Sequence, residues 1–232
     1  MPPRRSRSVA IAVFGAVMLC AATARADRSS VIAATYPQYS VSPPTTSQIV
    51  VCHDFGCRGR TVLAVTAGDR QQLAGIMAAG RASPQAERAA IAQAGAWFDR
   101  RIAQAAGTVN HVARANAAYV FRPEGQLDCI DTSRNTTTLL LLLDMLHLLH
   151  HHSVEAPRAR GFLFDGKAPH ATAVLLERAT GKRWSVDAWT RAYGQKPEIM
   201  ALDRWLDADG AGAKKRKRPR EAGAVRIYEP VD

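Results

Sequence analysis

Hydrophobic positions gather most densely between Leu139 and Leu149, where Leu139 to Leu143, Met145, Leu146, Leu148 and Leu149 cover every face of a helix. A helix apolar all round is a buried one, so the pattern predicts a core helix that begins near Ser133. Asp144 interrupts the run, which is too short to cross a bilayer. His147, His150, His151 and His152 close it, in a last turn where charged imidazoles interact favourably with the helix dipole. His147 and His151 are spaced as a metal pair, but no carboxylate or cysteine is placed to complete a site.

Other periodicities fill in the architecture. Ile91, Ala94, Phe98, Ile102 and Ala105 recur at intervals of three and four, behind Ser83 as N-cap and Pro84 at the first helical position. They predict an amphipathic helix ending near Ala106. Thr66 to Asp69 has the form of a capping box and opens a second helix to about Ala79, with Leu73, Ile76 and Met77 on one face. Gln48 to Cys52 and Thr61 to Val65 are β-branched stretches on either side of a short cysteine loop, which predicts a hairpin. Ala159 to Phe164, His170 to Glu177 and Arg183 to Asp187 read as strands, the last two joined by the turn Ala179 to Lys182. Helices packed on an antiparallel sheet follow, an α+β fold built as one domain over residues 48–207. Residues 27–47 show no periodicity and read as an extended leader on the surface; Thr108 to Phe121 fits no template.

Charge and composition change the picture at the two ends. Arg4, Arg5 and Arg7 precede an apolar run from Val9 to Ala22 and small residues at Ala24 and Ala26, the layout of a secretion signal cleaved after Ala26. Of 232 residues 206 would remain, and the four arginines of the signal reduce the formal charge from +11 to +7. A periplasmic or secreted location follows. Much of the remaining excess lies in the tail, residues 208–232, between Lys214 and Arg220. In an exported protein that run fits weak contact with an anionic envelope surface better than nucleic-acid binding.

Export also bears on the cysteines. Cys52, Cys57 and Cys129 remain, and an odd count in an oxidising compartment leaves one unpaired. A disulfide across His53 to Gly56 pairs the first two; a metal site on Cys52, His53 and Cys57 lacks a second ligand pair at zinc-finger spacing. Cys129 is then free, at the mouth of the leucine helix, where dipole and backbone N–H groups favour thiolate. Asp128 and Asp131 stand beside it and oppose ionisation unless Arg134 or a cap absorbs their charge. A histidine opening one strand (His170) and an aspartate ending the next (Asp187) complete the chain order of a Cys-His-Asp triad, with register left open.

At these residues the chain resembles the transglutaminase-like superfamily of papain-related cysteine enzymes. The likeness rests on Cys129 before the leucine helix, Ala159-Arg160-Gly161-Phe162, His170-Ala171-Thr172-Ala173-Val174 and Trp184-Ser185-Val186-Asp187, within about a third of the chain. The string from Cys129 through Asn135 and three threonines is also similar to one in secreted proteins of proteobacteria. The resemblance implies a transglutaminase-like fold with Cys129 as nucleophile, His170 as base and Asp187 as orienter. It implies hydrolysis or acyl transfer at amide bonds of protein or peptide, with no cofactor. Gln126 and Tyr119 are candidates for an oxyanion hole. The alternative is a non-catalytic binding module that retains the fold.

Overall fold

In the computed structural model, which describes residues 28–116, 123–161 and 169–208, the cysteine helix α4 (Cys129–Met145) runs through the core. Every residue from Asp131 to Leu143 is buried, as its apolar circumference requires. It begins four residues earlier than the leucine pattern predicts because the capping chemistry lies upstream. Asp128 accepts the N–H groups of Ile130 at 3.0 Å and Asp131 at 2.9 Å, and the Asp131 carboxylate reaches back to the Asp128 N–H at 3.2 Å. This is a capping box in which aspartate fills both places.

Two antiparallel sheets surround it. The hairpin of β1 (Gln48–His53) and β2 (Gly59–Ala64) pairs Gln48 with Ala64 and His53 with Gly59. The larger sheet takes β3 (His152–Arg160), β4 (His170–Glu177), β5 (Arg183–Asp187) and β6 (Glu198–Ala201) in chain order. Helices α2 (Ala67–Ala78) and α3 (Pro84–Ala106) start at Thr66 and Ser83, whose side chains accept N–H groups of Asp69 and Ala86. Gly107, at a φ of 71°, ends α3 in the left-handed conformation that favours glycine. The α+β class stands; no helix among the described residues is long and apolar enough to cross a membrane.

Three expectations need correction. Residues 27–47 are not simply an extended surface leader: α1 (Arg28–Thr35) and a 3-10 turn at Pro37–Tyr39 bury Val31, Tyr36 and Val41 in the main core. The Tyr36 hydroxyl bonds that of Thr138 on α4 at 2.8 Å, and the Tyr39 ring lies under the Arg134 guanidinium at 3.6 Å. The terminal histidines do not sit in a last helical turn. The helix stops at Met145, His147 turns left-handed at a φ of 57°, and His152 begins β3. Buried Glu87 of α3 collects the successive N–H groups of His150, His151 and His152 together with the His152 ring, and so sets the start of that strand. Finally, β3 spans His152–Arg160 where the alternation placed a strand at Ala159 to Phe164; residues 162–164 lie outside the described residues.

The faces of β4 divide the molecule. Ala173 and Leu175 belong to the main core, whereas Val174 packs with Leu202 and Trp205 of α5 (Leu202–Asp207) in a small cluster of their own. Both faces of the strand are therefore covered, which explains its nearly continuous burial.

Candidate functional site

The mouth of α4 is built on the cysteine loop. Cys52 and Cys57 form a disulfide, which removes both as metal ligands, and no metal-binding cluster occurs among the described residues. Asp54, Phe55, Gly56 and Cys57 all take a positive φ, from 59° to 65°. Left-handed backbone costs a non-glycine residue roughly 1–2 kcal/mol, so the loop needs strong external support. It comes from the two cap carboxylates: Asp131 accepts the N–H groups of Phe55 at 2.9 Å and Cys57 at 2.6 Å, and Asp128 that of Gly56 at 2.9 Å. Asn135, one turn further along α4, pairs through its amide with both the N–H and the carbonyl of Cys52, each at 2.8 Å.

Cys129 is the free, partly exposed cysteine at the first position of α4. The backbone N–H of Ala171, the residue after His170, acts on the ionisation of this thiol and pulls it down, which sets the start of β4 beside the helix mouth. The thiol is not pre-ionised, contrary to what a helix N-terminus alone suggests. Burial pushes it up to about 11, and the charges of Asp128 and Asp187 add to the shift against the Ala171 hydrogen bond. Asp131, itself pushed up to about 7 by burial and the charge of Asp128, is spent on the loop. Arg134 forms no ion pair with it among the described residues and stacks on Tyr39.

His170 and Asp187 meet. Ala173 pairs with Val186, so Asp187 stands level with Thr172, on the face of β4 that His170 shares two residues earlier. His170 Nε2 lies 2.6 Å from Asp187 Oδ2, and both residues are buried. The same oxygen accepts the indole N–H of Trp205 at 2.9 Å. A carboxylate can only accept hydrogen bonds, so Nε2 carries the proton and Nδ1 presents its lone pair. Nδ1 is buried and has no hydrogen-bond partner among the described residues, Cys129 included.

Two indoles that sequence reasoning missed frame the imidazole. Trp189 lies 4.5 Å from the His170 ring, and Trp205 5.2 Å. Trp189 follows Asp187 by two positions, a signal that was available. Its N–H holds the Ala115 carbonyl at 2.8 Å, while its own carbonyl accepts the Arg114 N–H at 2.7 Å, so the loop after α3 is tied to the site. Trp205 carries no local signal. Gln126 is occupied elsewhere, which corrects its expected oxyanion role: its amide accepts the Val112 N–H at 3.0 Å and donates to the Asn110 carbonyl at 3.4 Å. Tyr119 lies outside the described residues.

Chemically the arrangement offers a neutral thiol at a helix N-terminus and an imidazole whose Nε2 is held by a carboxylate and whose Nδ1 is bare. Comparison with protein-family models, with curated proteins and with solved structures finds no match to this chain.

Proposed function

We propose that the chain is a periplasmic or secreted cysteine hydrolase or acyltransferase of transglutaminase-like fold, acting on amide bonds of protein or peptide through a thioester on Cys129. One observation carries the reading: Asp187 holds His170 by Nε2 and leaves Nδ1 buried and unpaired among the described residues. The Cys52–Cys57 disulfide fits an oxidising compartment. The basic run from Lys214 to Arg220 suits weak contact with an anionic envelope surface.

Because the thiol rests protonated, His170 acts as general base during attack rather than as one half of a standing ion pair. Its Nδ1 takes the thiol proton as sulfur bonds to the carbonyl carbon, and the oxyanion faces N–H groups at the helix mouth. Collapse breaks the C–N bond, and the proton passes from Nδ1 to the departing amine. Water or a second amine then attacks the thioester with His170 again as base, releasing an acid or a new amide and restoring the thiol.

Peptide mapping after incubation with p-nitrophenyl esters of short acylated peptides tests this. A hydroxylamine-sensitive acyl group on Cys129, absent from Cys129→Ala, is expected; no acylation at Cys129 would remove the reading.

The neutral thiol is also the observation that favours the second reading, a binding module retaining the fold. Under it Cys129→Ala leaves the cellular role of the protein intact.

A further inference from the structure

Thr132 sits one turn after Cys129 on α4, and its hydroxyl donates to the Asp128 carbonyl at 2.9 Å and to that of Cys129 at 3.4 Å. The same residue lines a cleft of about 470 Å³, open mouth included, between α3, α4 and the loop after β5. We propose that this cleft is the subsite for a branched aliphatic side chain on the acyl part of the amide substrate; the assignment rests on the proposed thioester at Cys129.

Place, chemistry and rigidity support it. Cys129, Thr132 and Thr136 stand at i, i+3 and i+7, so the thiol and the cleft share one face of α4. Helical side chains lean back toward the N-terminus, which carries the Thr132 wall up beside the cysteine. The facing wall includes Ala188, next to Asp187. A leaving amine must meet Nδ1 of His170 to receive its proton, and no residue of β4 lines the cleft among the described residues, so the group it takes belongs to the acyl side. Phe98, Leu127 and Leu139 make the interior apolar, and Asp99 and His111 bind each other at 3.0 Å, so neither calls for a charged ligand. The closed part has room for only a few heavy atoms, enough for an isobutyl group and too little for an indole. Its walls are set before a ligand arrives. Gly194 ties the loop to α3, its N–H on Asp99 at 2.6 Å and its carbonyl on Arg100 at 2.7 Å, and Pro197 packs so closely on Gly95 that a Cβ there would stand 2.7 Å from its Cγ.

The test compares acylation of Cys129 by the p-nitrophenyl esters of N-acetylleucine and N-acetylglycine, each rate divided by that of the same ester with free N-acetylcysteine. We expect a leucyl preference of about tenfold or more in the wild type. It should fall toward one in Ala192→Phe and in Thr136→Leu, which fill the cleft from its two walls. Equal normalised rates in the wild type, or a preference unmoved in either folded variant, overturn the subsite; if neither variant folds, the wild-type comparison decides. If neither ester acylates Cys129, titration with N-acetylleucinamide followed by 1H–15N correlation spectra decides instead. A shift of the Thr136 amide that N-acetylglycinamide does not produce upholds the cleft and removes the enzymatic reading alone, whereas no shift overturns both.

Discussion

Asp131 Oδ1 accepts the backbone N–H of Cys57 at 2.6 Å, so the disulfide loop and the first turn of the cysteine helix form one unit. The acidic pair that looks unfavourable beside a nucleophile clamps three of four consecutive left-handed residues, Phe55, Gly56 and Cys57, while the Asp54 N–H goes to the Gln126 carbonyl at 3.0 Å.

Asp131→Asn tests the clamp. An amide there turns an NH2 group toward a backbone donor and leaves a buried hydrogen unpaired, at a cost of about 1–3 kcal/mol. Urea unfolding at pH 8 measures the loss. The pH dependence has a definite sign: the carboxyl rises from 3.8 to about 7 on folding, so the folded state binds the proton more tightly. The stability linked to that proton is complete below pH 3.8 and is lost as pH rises through about 7, so pH 8 isolates the hydrogen bonds that the ionised carboxylate accepts. The difference between wild type and variant should change across that window and be flat outside it.

Glu87 anchors the start of β3, the strand that follows the cysteine helix. Burial pushes its carboxyl up, but hydrogen bonds from the His152 ring and from the N–H groups of His150 and His151 outweigh it and hold the group below its usual 4.5. A depressed carboxyl stabilises the fold above its unfolded value and loses that effect as pH falls below 4.5, so this pair gives way on acidification. Glu87→Ala removes the acceptor of three backbone donors and strips the buried His152 ring of its Nδ1 partner. It should cost about 3–5 kcal/mol at neutral pH by chemical denaturation; a loss under ~1 kcal/mol would show that the network contributes little.

Asp128→Asn separates charge from capping. Asparagine caps a helix as well as aspartate does, though its NH2 group turns toward the Gly56 N–H that Asp128 Oδ2 accepts and costs the loop that bond, and the charge that helps to hold the Cys129 thiol near 11 is gone. Wild-type alkylation by iodoacetamide should still be climbing at about pH 10, well past the ~8.5 of an ordinary thiol. In the variant the midpoint should move down, and an unmoved midpoint would show that the Asp128 charge does not act on the sulfur.

The parts legible in the sequence are those governed by local chemistry. α3 runs from Pro84 to Ala106 because Ser83, Pro84 and Gly107 mark its ends, and β4 and β5 begin and end where alternation and the turn at Ala179 to Lys182 place them. The chain order of Cys129, His170 and Asp187 could be read; their register could not, since it depends on which residues of β4 and β5 pair. Long-range hydrogen bonds left no local trace. Glu87 in an amphipathic helix looks like a surface charge until the histidine N–H groups arrive from 63 to 65 residues away. Helices α1 and α5 are short and lack a strong periodic face. They form because Tyr36 and Trp205 find partners on α4 and at Asp187, contacts that only the tertiary structure supplies.

The central claim is that Nδ1 of His170 takes the proton of Cys129, and stopped-flow acylation of Cys129 by a p-nitrophenyl ester in wild type and His170→Ala tests it most directly. General-base assistance to a thiol that rests protonated predicts a wild-type rate at neutral pH about 100-fold or more above the variant. The gap should narrow as the pH approaches the thiol's own ionisation near 11. Equal rates at neutral pH in two equally folded proteins would contradict it.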